Sequence, residues 1–551
     1  MTYDPEPRYP VAGRDVDLGS EPLVAEWRER GARVVALDGP PAVDWEEVVE
    51  PITASTGAAT VDMRLHFAPW DEVRRRTLDS ELPGDPVFGR LSTRSVAELV
   101  GDPPEVPEGL VLVFGPGASL VAHDLLWYVS VPKRTAIEAV RRGATSNLGQ
   151  PPGSVGSEQR LLFVDWPILD RHEQALAASL DRYVDASDPA GLRSLPGDAL
   201  RTTLRDLSHR PFRTRPTFLP GPWGGQWLRG RLGVETEAPN LAWSYELITP
   251  ESGLLLGSDQ PVEVGFELLM ALHGDDVLGA SVAERFGVSF PIRFDYLDTL
   301  EGGHLSLQCH PRSDYARETF GLDYTQDETY YVMETTPGAR IFLGLRDDTD
   351  LDAFRLAAER AGDGEELDAD RFLASHPAEQ HRLYLIPAGT PHASGAGNVV
   401  LEISATPYLY TLRFYDWLRR DLDGTLRPVH LAHAFANVDA RRRAASLGEL
   451  MAEPFVVRKD NGYVELELGR HPDLFFAVHR LDFAEEAEDD TEGRFHVLNL
   501  VAGEAVEIVT AQGDVHRLSY AETIVVPAAV GRYAIRRLRG PDCKVVKAFV
   551  T

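Results

Sequence analysis

Four separated segments in the middle of the chain carry side chains that could bind a metal ion. They contain Gln308 and His310 in LSLQCHP, Glu328 in TQDETYY, His392 in IPAGTPHA and Glu402 in NVVLEISA. Two histidines, a carboxylate and an amide oxygen form a suitable ligand set for zinc or another borderline divalent ion. Taken one at a time, each residue could instead lie at the surface or cap a strand, so only the set as a whole indicates a metal site.

The spacing within two of these segments suggests how such side chains could meet. Side chains two apart point to the same side of a strand, so Gln308 and His310 share a face, and Pro311 ends the strand directly after them. His392 lies in a P-x-G-x-x-H sequence, at a junction between a strand and a turn. Both segments therefore place candidate ligands at a strand end. A catalytic site would also need a coordination position open to substrate or water.

Short strands separated by turns dominate residues 206–430 and again residues 431–551. Many short strands with turn signals are typical of a sandwich or a barrel. A stretch at helical spacing, DLDAFRLAAERAG, indicates a helical insertion at about 350–377. We therefore expect two β-rich domains, with the candidate ligands in the first of them.

Residues 21–205 show a different pattern, in which predicted strands alternate with helices after a polar tail at 1–20. The alternation predicts an α/β domain with a mostly parallel sheet. Its first strand, VVALDG, runs into a loop and a helix as a phosphate-binding loop does. Asp44, Trp45 and Glu46 stand where that motif needs glycine, lysine and a hydroxyl residue, and acidic side chains there would repel phosphate. The region resembles a P-loop nucleoside-kinase-like domain that has lost its phosphate loop, with an unrelated α/β domain as the alternative. In either case we predict no nucleotide hydrolysis in this region and no cofactor-binding residues.

Composition excludes several classes of partner. The net charge of -31 and the pI of about 4.9 argue against binding to nucleic acid or to anionic membranes, which need basic surfaces. An anionic substrate would have to be met by a local group of arginines, because no lysine occurs between Arg134 and Arg458. Two cysteines cannot form a disulfide scaffold, and no segment has the apolar run of a signal or a membrane helix. We therefore predict a cytoplasmic protein.

In their order along the chain, these segments resemble the type I mannose-6-phosphate isomerases, which are metal-dependent cupins. The family pattern Q-x-H-P matches LSLQCHP, H/G-K-x-E-x-W-Y is matched in part by TQDETYY, and P-x-G-x-x-H-A matches residues 387–393. The stretch VSFPIRFDYLDTLEGGHLSLQCHP runs in the same order as the family's P-L-L-x-K-x-L-D and L-S-x-Q-V-H-P sequences. The stretch VLEI followed by LRFYDW resembles the family's strand that ends in a functional arginine. The resemblance covers residues 212–551.

The resemblance implies a bicupin of two jelly-roll barrels, at 206–430 and 431–551, of which only the first binds metal. It implies that Gln308, His310, Glu328 and His392 hold Zn²⁺ or another divalent ion. The implied reaction converts mannose 6-phosphate to fructose 6-phosphate through a cis-enediolate. Glu402 is then the base candidate, and Arg413 is the group that holds the phosphate or stabilises the enediolate. A small sugar phosphate is the expected partner, and a homodimer is left open.

Two departures from the family pattern favour a second interpretation. Gln326 stands where the family has a lysine before the glutamate ligand, and SATPYLY replaces the asparagine-serine-aspartate stretch after the strand that contains Glu402. The alternative is a non-catalytic metal- and sugar-binding or regulatory cupin. A metal-dependent oxygenase is a third option, which the glutamine in the ligand set disfavours.

Overall fold

The computed structural model describes residues 3–188, 191–421, 424–451, 453–460 and 462–551, which fall into two compact units. The N-terminal unit contains Pro7–Leu207 and Gly253–Gly274. The C-terminal unit contains the remaining described residues, from 3–6, Ser208–Ser252 and Asp275–Thr551. None of the helices in the described residues is long and apolar enough to cross a membrane.

The strands of both units are numbered along the chain. The first are β1 Arg8–Tyr9, β2 Asp17–Leu18, β3 Val34–Asp38, β4 Ala59–Asp62, β5 Val111–Phe114, β6 Leu125–Ser130, β7 Arg182–Asp185, β8 Arg193–Pro196, β9 Thr217–Leu219, β10 Trp243–Leu247, β11 Gly253–Leu256 and β12 Val262–Gly265. Next come β13 Ile292–Asp298, β14 Leu307–Cys309, β15 Glu328–Thr335, β16 Arg340–Leu345, β17 Leu373–Pro377, β18 Leu383–Ile386, β19 His392–Ser394, β20 Asn398–Ala405 and β21 Leu412–Tyr415. The last are β22 Phe455–Asp460, β23 Tyr463–Gly469, β24 Phe476–Phe483, β25 Glu486–Asp490, β26 His496–Ala502, β27 Ala505–Thr510, β28 Val515–Ser519, β29 Thr523–Val526, β30 Arg532–Arg539 and β31 Cys543–Val550.

Most of the longer helices lie in the N-terminal unit. The α-helices are α1 Glu21–Arg30, α2 Trp45–Thr56, α3 Trp70–Arg76, α4 Val96–Leu99, α5 Lys133–Arg141, α6 Glu158–Arg160, α7 Trp166–Leu176, α8 Gly197–Leu207, α9 Trp227–Leu232, α10 Phe266–Leu278, α11 Ala280–Phe286, α12 Ser313–Tyr315, α13 Leu351–Gly362 and α14 Leu431–Asn437. Helix α13 forms the first part of the helical insertion predicted at 350–377. The prediction of helix is wrong for its end, which forms strand β17 because it pairs with β16.

The N-terminal unit is built on a sheet in which β7, β6, β3, β5 and β4 are parallel neighbours, with β8 and β2 added antiparallel at one edge. Its strands are apolar in consecutive positions because helices cover both faces. One apolar cluster packs Leu37 and Trp127 against α1 and α2, and a second packs Val73 and Ile168 between α3, α4 and α7. The arrangement places the carboxyl ends of β3 and β5 side by side.

A buried aspartate fills the space at the carboxyl end of β3. Asp38 accepts hydrogen bonds from the backbone N–H groups of Gly39, Gly117 and Ser119 at 2.8, 3.1 and 2.9 Å. Its Oδ2 also lies 2.9 Å from Nε2 of His172. Backbone N–H groups in such a loop can bind a phosphate. Here they donate to the carboxylate of Asp38 instead.

A small second sheet extends the N-terminal unit beyond the boundaries predicted for it, residues 21–205. Strand β1 pairs in parallel with β11, where Arg8 lies opposite Leu255, and β11 pairs with β12. Residues 8–9 and 17–18 of the predicted polar tail are therefore short strands. Residues 253–274, expected within the first cupin, belong to this unit.

The C-terminal unit contains two antiparallel barrels of facing sheets. In the first barrel, the order β18-β15-β20-β13-β10-β9 faces the order β17-β16-β19-β14-β21. In the second, the order β22-β23-β24-β31-β26-β29 faces the order β25-β30-β27-β28. The interior of the second barrel is filled by apolar side chains such as Leu481, Leu498 and Ile524. Two β-rich barrels were predicted for residues 206–551, and the structure has two barrels there, apart from residues 253–274, which belong to the N-terminal unit.

Candidate metal centre

Strand pairing in the first barrel brings separated side chains onto one inner face. On β14, Gln308 lies directly opposite His392 of β19 and opposite Arg413 of β21. Residues paired across an antiparallel ladder point to the same side of the sheet, so these three side chains project together. Cys309 points the other way and is buried, with its Sγ 3.7 Å from the carbonyl oxygen of Ala434.

Three ionisable side chains converge on one point in the barrel interior. Glu328 Oε2 lies 2.6 Å from Nε2 of His310 and 3.2 Å from Nε2 of His392. All three side chains are at most 1% exposed, and their ligand atoms lie within 4.8 Å of one another. The amide of Gln308 borders this cluster, because its Nε2 is 3.4 Å from Nε2 of His392. Its Oε1 accepts a hydrogen bond from Ser306 at 2.8 Å.

The P-x-G-x-x-H turn holds His392 by its backbone. The backbone N–H of Gly389 donates to the carbonyl oxygen of His310 at 2.9 Å, which ties this turn to the other histidine segment. Gly389 has φ +83°, and a Cβ there would lie 2.6 Å from the carbonyl oxygen of Asn437, so no other residue fits without rearrangement. His392 Nδ1 lies 2.9 Å from the carbonyl oxygen of Thr390. A carbonyl partner fixes the proton on Nδ1, so Nε2 carries no proton and its electron pair can bind a metal.

The charges of the cluster suit metal binding. Burial alone would raise the pKa of Glu328, but His392 and His310 outweigh burial and hold that pKa well below its usual range. Burial, reinforced by His392 and Arg293, lowers the pKa of His310 despite the neighbouring carboxylate. The site therefore presents an ionised carboxylate and a neutral imidazole, the protonation states that metal ligands need.

A second buried network adjoins the cluster on β13 and β20. Arg293 donates through Nη1 to Asp295 at 2.9 Å and through Nη2 to Oε1 of Glu402. In the orientation that satisfies both ends of its amide, Gln326 accepts from Arg293 Nη2 at 2.6 Å and donates to the carbonyl oxygen of Pro407 at 3.0 Å. Burial, reinforced by Asp295 and Glu328, raises the pKa of Glu402 well above its usual value despite Arg293.

Arg413 lies on the same face without a carboxylate partner. Its Nη1 lies 3.4 Å from the carbonyl oxygen of Pro428, and no carboxylate among the described residues forms an ion pair with it. Burial, helped by the neighbouring Arg427, lowers its pKa to about 10. Asp416 and Asp421 act on the charge of Arg413 without an ion pair among the described residues, so its guanidinium keeps N–H groups that could bind an anion.

Pairing and contacts bring together all the residues predicted for this site. His310, Glu328 and His392 touch one another, Gln308 borders them, and Arg413 shares their face. Glu402 reaches the inner face through its pairing with Tyr330 of β15. Sequence reasoning missed Arg293 and Asp295. Two charged residues at alternate positions of the apolar strand IRFDYLD were the available signal, because they must share one face.

The two-sheet barrels and the buried His-Glu-His cluster together define a bicupin with a candidate metal centre. Among relatives, ManA from Bacillus subtilis (strain 168), a mannose-6-phosphate isomerase, is 30% identical over 226 residues, which are 41% of this chain and 67% of ManA. YvyI from the same organism, named only provisionally as a mannose-6-phosphate isomerase, is 23% identical over 341 residues, which are 60% of this chain and 97% of YvyI. A crystal structure of the mannose 6-phosphate isomerase from Bacillus subtilis shares the fold, with a TM-score of 0.50 and 20% identity over 62% of this chain and 99% of that chain.

The chain belongs to the mannose-6-phosphate isomerase family. This membership confirms the predicted resemblance and the predicted class of enzyme, an isomerase.

The N-terminal unit matches a different family model. The model is described as "Domain of unknown function (DUF8485)" and matches residues 19–209. The predicted likeness of this region to P-loop kinases therefore stays a prediction.

Proposed function

We propose that the chain is a metal-dependent aldose–ketose isomerase of a sugar phosphate, with mannose 6-phosphate and fructose 6-phosphate as its substrate pair. The observation that supports this most is the convergence of His310, Glu328 and His392 inside the barrel of a chain of this family. Their residue types and burial suit a divalent cation more than they suit a structural hydrogen-bond network.

The donor atoms fit a divalent ion in two respects. Glu328 Oε1 is buried and has no hydrogen-bond partner among the described residues, so one ligand oxygen of the cluster is unsatisfied. The set of two imidazole nitrogens and a carboxylate, with the amide of Gln308 beside them, matches the nitrogen and oxygen ligands of catalytic zinc sites. We expect the Gln308 amide to turn its oxygen toward the ion on binding.

The reaction needs a base beside the sugar and a means of holding negative charge. When bound, the divalent ion would polarise the oxygens of the sugar as a Lewis acid. Glu402 takes the proton from C2 of the aldose, and the electron pair left behind forms the cis-enediolate. The same carboxyl group then returns the proton to C1 while the hydroxyl proton on O2 passes to O1, which gives the ketose. Its raised pKa suits this role, because a carboxylate in a buried site is a stronger base than one in water.

Arg413 supplies the site for the phosphate. Its guanidinium shares the inner face with Gln308 and forms no ion pair with a carboxylate of the described residues. Its N–H groups can therefore donate hydrogen bonds to a phosphate. A planar guanidinium can bind a phosphate through two hydrogen bonds. A chain of strong negative charge needs such a group to admit an anionic substrate at all.

Steady-state turnover of mannose 6-phosphate by the full chain tests this function. The protein is stripped with a chelator, its metal content is measured, and formation of fructose 6-phosphate is followed with and without added Zn²⁺. We expect turnover that disappears with the metal and returns with it. Saturable binding of the sugar phosphate without turnover would contradict the isomerase proposal and would support the non-catalytic alternative, which the replacement of the family lysine by Gln326 favours.

A further inference from the structure

The buried guanidinium of Arg293 lies between two carboxylates beside the candidate metal centre. It is 5% exposed and bonds to Asp295 Oδ1 at 2.9 Å, to Glu402 Oε1 and to the Gln326 amide oxygen at 2.6 Å. Its Nε also donates to the carbonyl oxygen of Ala405 at 3.3 Å. All of these partners lie on the inner face of the barrel or at its edge.

Two of these partners stand where the family pattern carries lysine. Gln326 takes the place of the lysine before the glutamate ligand. The family sequence P-L-L-x-K-x-L-D aligns with PIRFDYLD, which begins at Pro291. Asp295 therefore stands where this family sequence has its lysine. A single guanidinium therefore touches both positions from which an ammonium group is missing. Arg293 is thus placed to supply positive charge in this part of the barrel.

The contacts on Glu402 show what this charge can do. Its Oε1 accepts hydrogen bonds from the guanidinium of Arg293 and, at 2.8 Å, from the hydroxyl of Ser404. None of the described residues donates a hydrogen bond to its Oε2. A carboxylate whose one oxygen accepts hydrogen bonds from a guanidinium and from a hydroxyl cannot rotate freely, so its second oxygen is kept in one position.

We propose that Arg293 is a positioning residue, which fixes Glu402 so that Oε2 receives the substrate proton. Asp295 holds the other side of the guanidinium and keeps it from turning away. This inference rests on the proposed isomerase function. In the reaction, the proton passes from C2 of the sugar to Oε2 and then to C1, while Oε1 stays bonded to Arg293.

A purely structural ion pair is the competing explanation, and the second barrel provides a matched control. Arg480 and Asp482 have the same spacing on β24, which lies between β23 and β31 as β13 lies between β10 and β20. Arg480 is also buried, and it bonds to both oxygens of Asp482 at 2.6 and 2.8 Å. Its other partners are the carbonyl oxygen of His381 at 3.3 Å and the hydroxyl of Tyr331. Arg480→Met therefore removes a comparable buried guanidinium whose partners among the described residues include none of the proposed site residues.

The test compares zinc-loaded full-length wild type, Arg293→Met, Arg293→Lys and Arg480→Met. The measurements are bound zinc, kcat and KM for mannose 6-phosphate, and the rate at which deuterium from the solvent enters C2. For Arg293→Met we expect unchanged zinc, a KM within about threefold and a kcat about 10²-fold lower, with deuterium entry slowed in parallel. The kcat of Arg293→Lys should be about tenfold higher than that of Arg293→Met, because an ammonium keeps the charge but can hold only one carboxylate. Arg480→Met should keep kcat within about twofold.

The outcomes separate this inference from the function on which it rests. A wild type that turns over sugar phosphate while zinc-loaded Arg293→Met keeps its kcat overturns the role of Arg293 alone. Equal losses in Arg293→Lys and Arg293→Met would also overturn it. A wild type without turnover overturns the isomerase proposal and this inference with it. Should Arg293→Met fail to fold, Arg293→Gln and Arg293→Lys provide the same comparison, and equal kcat in these two variants overturns the role of the charge.

Discussion

Replacing His392 with alanine should weaken metal binding without disturbing the rest of the barrel. Its Nε2 is one of the nitrogens that face Glu328, and its Nδ1 contacts only the carbonyl oxygen of Thr390. Structural zinc sites of four ligands bind with apparent free energies of about 10–16 kcal/mol. One ligand of four therefore accounts for about 3 kcal/mol, which corresponds to roughly a 10²-fold rise in Kd.

A thermal melt with and without Zn²⁺ measures this loss. At free Zn²⁺ of about 100 times the wild-type Kd, binding stabilises the wild type by about 2.7 kcal/mol. A site that binds about 10²-fold more weakly gains only about 0.4 kcal/mol at the same Zn²⁺ concentration. We therefore expect a clear Zn²⁺-dependent rise in Tm for the wild type and almost none for His392→Ala, together with loss of turnover.

His496→Ala is the matched control for this experiment. His496 is a buried histidine of the second barrel, and its Nδ1 lies 2.8 Å from the hydroxyl of Tyr533. Both variants lose one buried imidazole together with its hydrogen bonds, so their metal-free stabilities should fall by similar amounts of about 1–3 kcal/mol. His392 is not a zinc ligand if His392→Ala keeps a zinc affinity within about threefold of wild type, and the loss is not specific to this site if His496→Ala loses zinc as well.

Three further changes test other parts of the account. Glu402→Gln should lower kcat by about 10²–10⁴-fold and leave the zinc content unchanged, since it removes the proposed base; equal kcat would contradict this role. Arg413→Ala should raise KM for the sugar phosphate by about 10-fold or more with little change in kcat, and an unchanged KM would place the phosphate elsewhere. Burial alone would raise the pKa of Asp38, but hydrogen bonds from His172 and Ser119 outweigh it and hold the pKa below its usual value. The folded state therefore gains stability from Asp38 above the unfolded pKa and loses it as pH falls through the folded pKa. At neutral pH, Asp38→Asn should speed hydrogen exchange of β3 amides by an amount that corresponds to about 1.5–3 kcal/mol. The difference in exchange rate between the variant and wild type should become smaller in acid. Equal exchange at neutral pH would contradict it.

The candidate ligand residues could be found from sequence because their signals are local. A strand that ends in Gln308, His310 and Pro311, and a turn that requires Gly389 before His392, are short patterns whose geometry follows from a few adjacent residues. The two β-rich domains were predictable for the same reason, since strand length and turn residues repeat along the chain.

The network around Glu402 could not be found in this way. The contact of Arg293 with Glu402 depends on how β13 pairs with β20, and the ladder places Asp295 opposite Glu402. A shift of one residue would turn these side chains to the outer face. The extent of the N-terminal unit depends in the same way on the pairing of Arg8 with Leu255, which no local pattern specifies.

Anomalous diffraction from crystals of the zinc-loaded chain, recorded on both sides of the zinc absorption edge, would show directly whether the buried side chains of the first barrel hold zinc. We expect one strong peak in the first barrel, about 2.0–2.2 Å from Nε2 of His310, Nε2 of His392 and an oxygen of Glu328. The Gln308 amide oxygen should be turned toward the same peak. An empty position between these side chains, or zinc bound only elsewhere, would contradict it.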